Sequence, residues 1–292
     1  MEIRKAERKK AKLRLGIAAP SGAGKTYSAL LLAFGLGGKV GLIDTEHGSG
    51  DLYAHLGDYD IIGIEAPYTV TKYTQAIKAF EQAGYNTVII DSLSHAWSGD
   101  GGLLDKQGKM ADRGTNSFAA WRTITPEHNA LVDAMLSSPC HIIATMRAKQ
   151  EYVLETNSKG KQEPKKVGMA PVQREGMEYE FTVMLDVDMN HIASASKDRT
   201  SLFDGQYMKI TPDTGAMLLA WLETGVAVPV YDESVLNGYN DAMIECDTLD
   251  GLKTAFTTAY TYAKSFKNVD AMTAATSIYN GKKAELTETE GA

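Results

Sequence analysis

The sequence predicts an α/β fold with a mainly parallel sheet covered by helices on both faces. Two observations carry that expectation. Short apolar runs alternate with helix-like stretches over the first 225 residues. Each run is nearly continuous rather than alternating, as in strands buried on both faces.

Leu13-Arg14-Leu15-Gly16-Ile17-Ala18 reads as the first strand. Residues 26–36 form an apolar helix stopped by Gly37-Gly38, which suit the conformation a helix end requires. Residues 40–44 and 61–64 are short buried strands, followed by a helix over 71–83 with Gly84 as its stop. Residues 87–91 give the next strand, Pro126 the first turn of a helix to 136, and residues 141–145 and 181–187 further strands. A helix over 215–223 closes the core. Two stretches interrupt the pattern: 98–116 is glycine-rich and polar, and 149–176 is long and charged. Both are expected to be functional loops. Residues 226–232 read as a linker into amphipathic helices, including 249–266 and 271–286. The expected division is a core with a basic N-terminal arm over 1–225 and an acidic helical extension over 226–292.

The chain has 292 residues, 43% hydrophobic and 23% charged, the balance of a soluble globular protein. No apolar run approaches the roughly 18 residues of a membrane span, and the charged N-terminus is no secretory signal. A cytoplasmic protein without a membrane partner is expected. Cys140 and Cys246 fit no metal or redox spacing and are expected to be free thiols. The net charge of −7 excludes a uniformly basic coat. Its distribution is uneven: residues 1–14 carry seven basic side chains against two acidic, and 147–174 carry seven against three. Residues 226–292 reverse this, with ten acidic and five basic.

Ala19-Pro20-Ser21-Gly22-Ala23-Gly24-Lys25-Thr26 follows a strand and opens a helix. That is the pattern of a phosphate-binding loop, with Ala19 where the pattern has its first glycine. Glycines let successive N–H groups curl around phosphates, Lys25 reaches the terminal oxygens and Thr26 holds magnesium. With Tyr27 at the start of the helix, residues 20–27 are expected to bind ATP with Mg2+. Asp91, ending an apolar strand, is the expected second magnesium residue, with Ser92 as a helper. Asp44-Thr45-Glu46-His47 ends another strand. Glu46 is the expected general base for water attacking the γ-phosphate, because Asp44 still belongs to the buried strand; a structural role for this cluster remains the alternative.

Single-stranded nucleic acid needs cations for its backbone and flat side chains for stacking. Residues 98–121 offer Lys106, Lys109, Arg113, Phe118 and Trp121. The second stretch offers Arg147, Lys149, Tyr152, Lys159, Lys161, Lys165, Lys166 and Arg174. The competing reading makes the aromatics core residues and the lysines a solvated face.

Taken together, residues 12–224 resemble a RecA-type recombinase core. Ile43-Asp44-Thr45-Glu46-His47 resembles the segment that carries that family's catalytic glutamate. His141-Ile142-Ile143-Ala144-Thr145-Met146-Arg147 resembles the strand leading into its second DNA-binding loop, with Thr145 where the family has a γ-phosphate-sensing glutamine. Ser196-Lys197-Asp198-Arg199-Thr200 resembles the Lys-x-Arg finger that reaches a neighbouring subunit's γ-phosphate. The small size and the lack of an N-terminal DNA-binding domain resemble phage AAA-family ATPases, some of which are RecA-core annealing recombinases, and the acidic helical tail is similar to C-terminal extensions of phage recombination proteins. The resemblance implies a three-layer RecA-like P-loop NTPase core and a catalytic set of Lys25, Glu46, Lys197 and Arg199. It also implies single-stranded DNA as partner and assembly into a homo-oligomeric filament or ring. The tail would recruit a host single-strand binding protein or a phage exonuclease. Two other readings stay open: a P-loop small-molecule kinase, and a nucleotide-gated, non-catalytic adaptor.

Overall fold

The computed structural model describes residues 5–156, 162–226 and 231–290, with side chains placed outside 150–169 and 288–290. The chain divides into two compact units, Met1–Val226 and Ala227–Ala292.

In the first unit the described strands are β1 (Arg14–Ala19), β2 (Val40–Asp44), β3 (Asp60–Gly63), β4 (Thr87–Asp91), β5 (His141–Thr156), β6 (Gln162–Pro171), β7 (Val183–Val187), β8 (Ala193–Asp198) and β9 (Tyr207–Met208). Their order is β3-β2-β4-β5-β1-β7-β8-β9, with β6 paired to β5 off this path. From β3 to β7 every pairing is parallel. The last two strands and the β5–β6 ribbon are antiparallel.

The inner parallel strands are largely apolar because successive side chains enter opposite cores, whereas β3, expected to be buried, lies at the sheet edge and is only half-buried. Leu15, Ile17, Leu42, Ile89, Ile143 and Leu185 face one core. It is covered by α1 (Lys25–Leu36) and a later helix over Pro212–Glu223. Ile43, Val88, Ile90, Ile142, Ala144 and Met184 face the other. That side is covered by α2 (Val70–Gln82), α3 (Leu93–Ser98), α4 (Leu103–Asp112) and α5 (Ser117–Ser137). The Pro212–Glu223 helix is α6. It lies so close to α1 that a Cβ on Gly35 would fall 1.9 Å from the Pro212 carbonyl oxygen, and one on Gly215 2.2 Å from that of Leu32. Glycine is the residue that allows this approach.

Three local expectations change. Residues 98–116 are largely helix α4 rather than loop; the helix is short and polar on average, and only Leu103 of it is fully buried. Pro126 lies inside α5 rather than opening it. The helix starts nine residues earlier, at Ser117, where the Asn116 side chain accepts the Phe118 N–H at 2.8 Å and caps it. The charged stretch 149–176 is mostly the β5–β6 ribbon, with a register shift between Glu151 and Tyr152.

The basic N-terminal segment is partly fixed. Arg8 donates to the Trp221 carbonyl at 2.6 Å and lies 4.0 Å over its ring, while Lys10 pairs with Glu223. Cations at the carboxyl end of α6 complement its dipole.

The second unit comprises α7 (Glu233–Ile244), α8 (Leu249–Ser265) and α9 (Val269–Glu290). Leu236, Met243, Leu252, Ala259, Ala263, Ala271 and Ala275 form its core. Tyr231, Tyr239, Tyr262 and Phe266 pack edge to face around it.

Candidate nucleotide-binding site

The loop from β1 to α1 curls through two left-handed positions, Gly22 (φ 82°) and Gly24 (φ 84°), where a side chain would be strained. This leaves the first N–H groups of α1 at the mouth of the loop, an anion-binding arrangement. Ala19 sits at the end of β1 in extended backbone, which accepts a Cβ, so the pattern's missing glycine costs nothing here. Lys25 reaches back to the Pro20 carbonyl at 3.3 Å, and burial draws its ammonium below the usual value. The His191 ring bonds the Ala23 carbonyl at 3.1 Å and lies beside Gly24.

Because β5 lies between β1 and β4, the carboxyl ends of three strands converge on Asp91. Thr26 donates to one oxygen of Asp91 and Thr145 to the other. Burial pushes this carboxyl up, against those two hydrogen bonds.

Asp44 and Glu46 separate cleanly. The Asp44 oxygens accept the backbone N–H groups of Glu46 at 2.6 Å and Gly50 at 3.0 Å, so Asp44 shapes the turn after β2. Glu46 instead projects into the cavity. Its oxygens accept three hydrogen bonds from Arg147, at 3.1, 3.0 and 2.8 Å, and one from Ser92 at 3.2 Å. Burial alone would raise the Glu46 carboxyl, but Arg147 outweighs it and holds the group below the usual carboxylate range.

A polar network supports this turn. Thr45 meets the His95 ring at 2.7 Å, and its hydroxyl oxygen accepts the Ser92 N–H at 2.9 Å. His95 stacks on Tyr68 with ring centres 4.7 Å apart. Burial lowers the His95 pKa, with Arg147 adding to the effect. His95, Thr45 and Tyr68 carry no spacing signal, and sequence reasoning missed them.

Ser21, Gly22, Lys25, Thr26, Glu46 and Asp91, with Arg147, line one cavity of roughly 700 Å³. A second, more apolar cavity of roughly 690 Å³ lies across Gly22 and Gly24, lined by Tyr27, Leu31, Tyr53, Ile210 and Pro212. Tyr27 and Tyr53 meet edge to face in it, 6.2 Å apart. One cavity has the donors for phosphates, the other the flat apolar walls for a nucleoside.

The donor set fits magnesium and a triphosphate. Among the described residues no cluster of three or more acidic, histidine or cysteine side chains gathers to hold a metal. A magnesium ion would therefore rest on Thr26 and Asp91 with the remaining positions from phosphate and water, as this cation commonly does. It would neutralise phosphate charge there.

Other residues singled out in the sequence lie apart. Lys106 pairs with Glu127 at 2.5 Å, and Lys109 with Asp105 at 2.6 Å. Arg113 is exposed at the end of α4. Phe118 is 83% exposed, whereas Trp121 is half-buried and stacked on Trp97 at 5.7 Å. Arg174 lies 5.7 Å over the Trp121 ring. Lys149 is exposed on β5. Tyr152, Lys165 and Lys166 are placed by backbone alone in the ribbon, and Lys159 and Lys161 lie outside the described residues. Lys197 and Arg199 line neither cavity. Lys197 donates to the carbonyls of Glu178 (3.0 Å) and Tyr179 (2.5 Å), and Arg199 to that of Tyr179 at 3.3 Å. Both cysteines are free. No helix among the described residues is long and apolar enough to cross a membrane.

Fold and loop together define a P-loop nucleotide-binding protein. A family model described as an AAA domain matches residues 11–214, well over half of the chain. The chain belongs to this AAA domain family, a group of P-loop ATPases. No curated protein matches it.

Proposed function

We propose that this protein is an ATP-dependent recombination ATPase of phage type that binds single-stranded DNA and hydrolyses ATP between subunits. One observation carries the reading. Strand β5 runs between β1, which leads into the phosphate loop, and β4, which ends at Asp91; it passes through Thr145 and Arg147 beside the nucleotide cavity and continues, across a register shift at Glu151/Tyr152, into the β5–β6 ribbon. A ligand on the ribbon and a nucleotide at the loop thus act on the same strand.

ATP binds with its phosphates at residues 20–26 and its nucleoside toward Tyr27 and Tyr53, with magnesium on Thr26 and Asp91. Glu46 takes a proton from the attacking water once free to face it. Lys25 and the amides at the start of α1 stabilise charge on the transferring phosphoryl group. Lys197 and Arg199 complete the site of a neighbouring copy in a filament or ring. The ribbon cations, with Lys106, Lys109, Arg113 and Arg174, contact the DNA backbone, and Tyr152 stacks on bases. The core and the acidic extension act as separate domains, the extension recruiting a single-strand binding protein or an exonuclease in a bacterial cytoplasm.

The test is ATP turnover with and without single-stranded DNA. Turnover that rises with added strand supports the proposal. Phosphate transfer to a nucleoside, with no response to DNA, would instead establish the kinase reading.

A further inference from the structure

Arg147 occupies an unexpected place for a nucleic-acid contact. Its backbone is level with Ala19, the last residue of the phosphate-loop strand. Past Ala144 the register of β5 with β4 ends, so the Arg147 N–H turns instead to the Ser94 hydroxyl at 2.9 Å. Its carbonyl accepts the Val172 N–H at 2.6 Å. The backbone is therefore fixed while the side chain crosses the cavity mouth to grip Glu46.

That grip joins the one carboxylate suited to general-base work to a guanidinium in the same cavity as Lys25 and Thr26. Arg147 is 48% exposed and Glu46 26%. A pair this open to water is screened, so its partners can be exchanged for a competing anion. A guanidinium fork matches phosphate oxygens as well as carboxylate ones, and a terminal phosphate carries more charge. A triphosphate entering between Lys25 and Arg147 therefore competes directly with Glu46 for the same donors.

The geometry points to Arg147 as a γ-phosphate ligand of its own chain, released from Glu46 when a triphosphate binds. The exchange does two things at once. It places a second cation on the terminal phosphate, and it frees Glu46 to orient water. Without a γ-phosphate the base stays tied. A diphosphate does not reach Arg147, so the residue also discriminates between the two nucleotides. This rests on the nucleotide reading above.

The test compares the affinity of a fluorescent nucleoside diphosphate with that of a non-hydrolysable triphosphate analogue, both with magnesium. In Arg147→Ala the preference for triphosphate falls about tenfold, the size of one lost charge-assisted contact. Diphosphate affinity stays within about twofold. Arg147→Lys keeps charge without the fork and falls between. Glu46→Gln moves the other way, because Arg147 no longer leaves a carboxylate to reach phosphate. An unchanged ratio in Arg147→Ala, or equal loss of both nucleotides, overturns the inference. Should that variant not fold, an unchanged ratio in both Arg147→Lys and Glu46→Gln overturns it equally. A wild-type chain that binds neither nucleotide sinks the parent reading instead.

Discussion

The Thr26 hydroxyl donates to Asp91 from 65 residues away in sequence, tying the first turn of α1 to the end of β4. With Thr145 on the other oxygen, the carboxylate is aimed before any ligand arrives. Asp91→Asn keeps the shape and removes the charge. We expect the magnesium concentration needed to support binding of a triphosphate analogue to rise at least about tenfold. Binding measured without metal stays close to wild type. A magnesium titration followed by nucleotide fluorescence checks this, and an unshifted midpoint removes Asp91 from the metal site.

Glu46→Gln separates binding from chemistry. Loss of a general base lowers turnover by about 10² to 10⁴, while the phosphate loop and its donors stay intact. Phosphate release and nucleotide titration on one preparation measure both. An adaptor that only switches on nucleotide would keep its function in this variant.

Lys197 and Arg199 hold the carbonyls of Glu178 and Tyr179 within their own chain, and burial with Arg199 nearby lowers the Lys197 pKa. Register pairs Lys197 with Met184, whose neighbour on β1 is Gly16, three residues short of the loop-proximal Ala19. They are thus expected to act on another copy. Lys197→Ala and Arg199→Ala should lower turnover at protein concentrations where copies assemble, and leave nucleotide affinity of the isolated chain unchanged. An unaltered rate in the assembled state counts against the finger assignment.

His141 links the fold to pH. Its ring nitrogen accepts the Leu13 N–H at 3.0 Å where β1 begins. Burial, with the nearby charges of Lys12 and Arg14, depresses its pKa from 6.5 to about 4. The unfolded chain therefore binds the proton more readily. Stability from the neutral ring is fully present above about pH 6.5 and is lost as pH falls toward 4, an effect on the order of 3 kcal/mol. His141→Asn keeps an acceptor and does not titrate. Urea unfolding at pH 7 and pH 4.5 should show the wild-type chain losing more stability than the variant; equal losses would clear His141 of this role.

The sequence was most legible where packing is most constrained. Strands β1, β2 and β4 are buried on both faces, so their apolar runs announce themselves, and the glycines of the loop are demanded by its left-handed turns. Helix α4 reads as loop from sequence because it is short, polar on average and flanked by the glycines of residues 99–102 and 114. Ribbon strand β6 was missed because charged residues such as Glu163, Lys165 and Lys166 give no sign of a buried face. Glu46 was separable from Asp44 because one lies in the strand and the other beyond it. The bond from Arg147 to Glu46 spans 101 residues and depends on β4 lying between β2 and β5, which no local pattern encodes.

In the proposed function, triphosphate binding and DNA binding act on one strand. Anisotropy of a labelled single-stranded oligonucleotide, titrated with protein and magnesium, measures it directly. We expect tight binding with a slowly hydrolysed ATP analogue, weak binding with ADP, and affinity that falls steeply with salt. No binding with the analogue, or equal binding with both nucleotides, would contradict it.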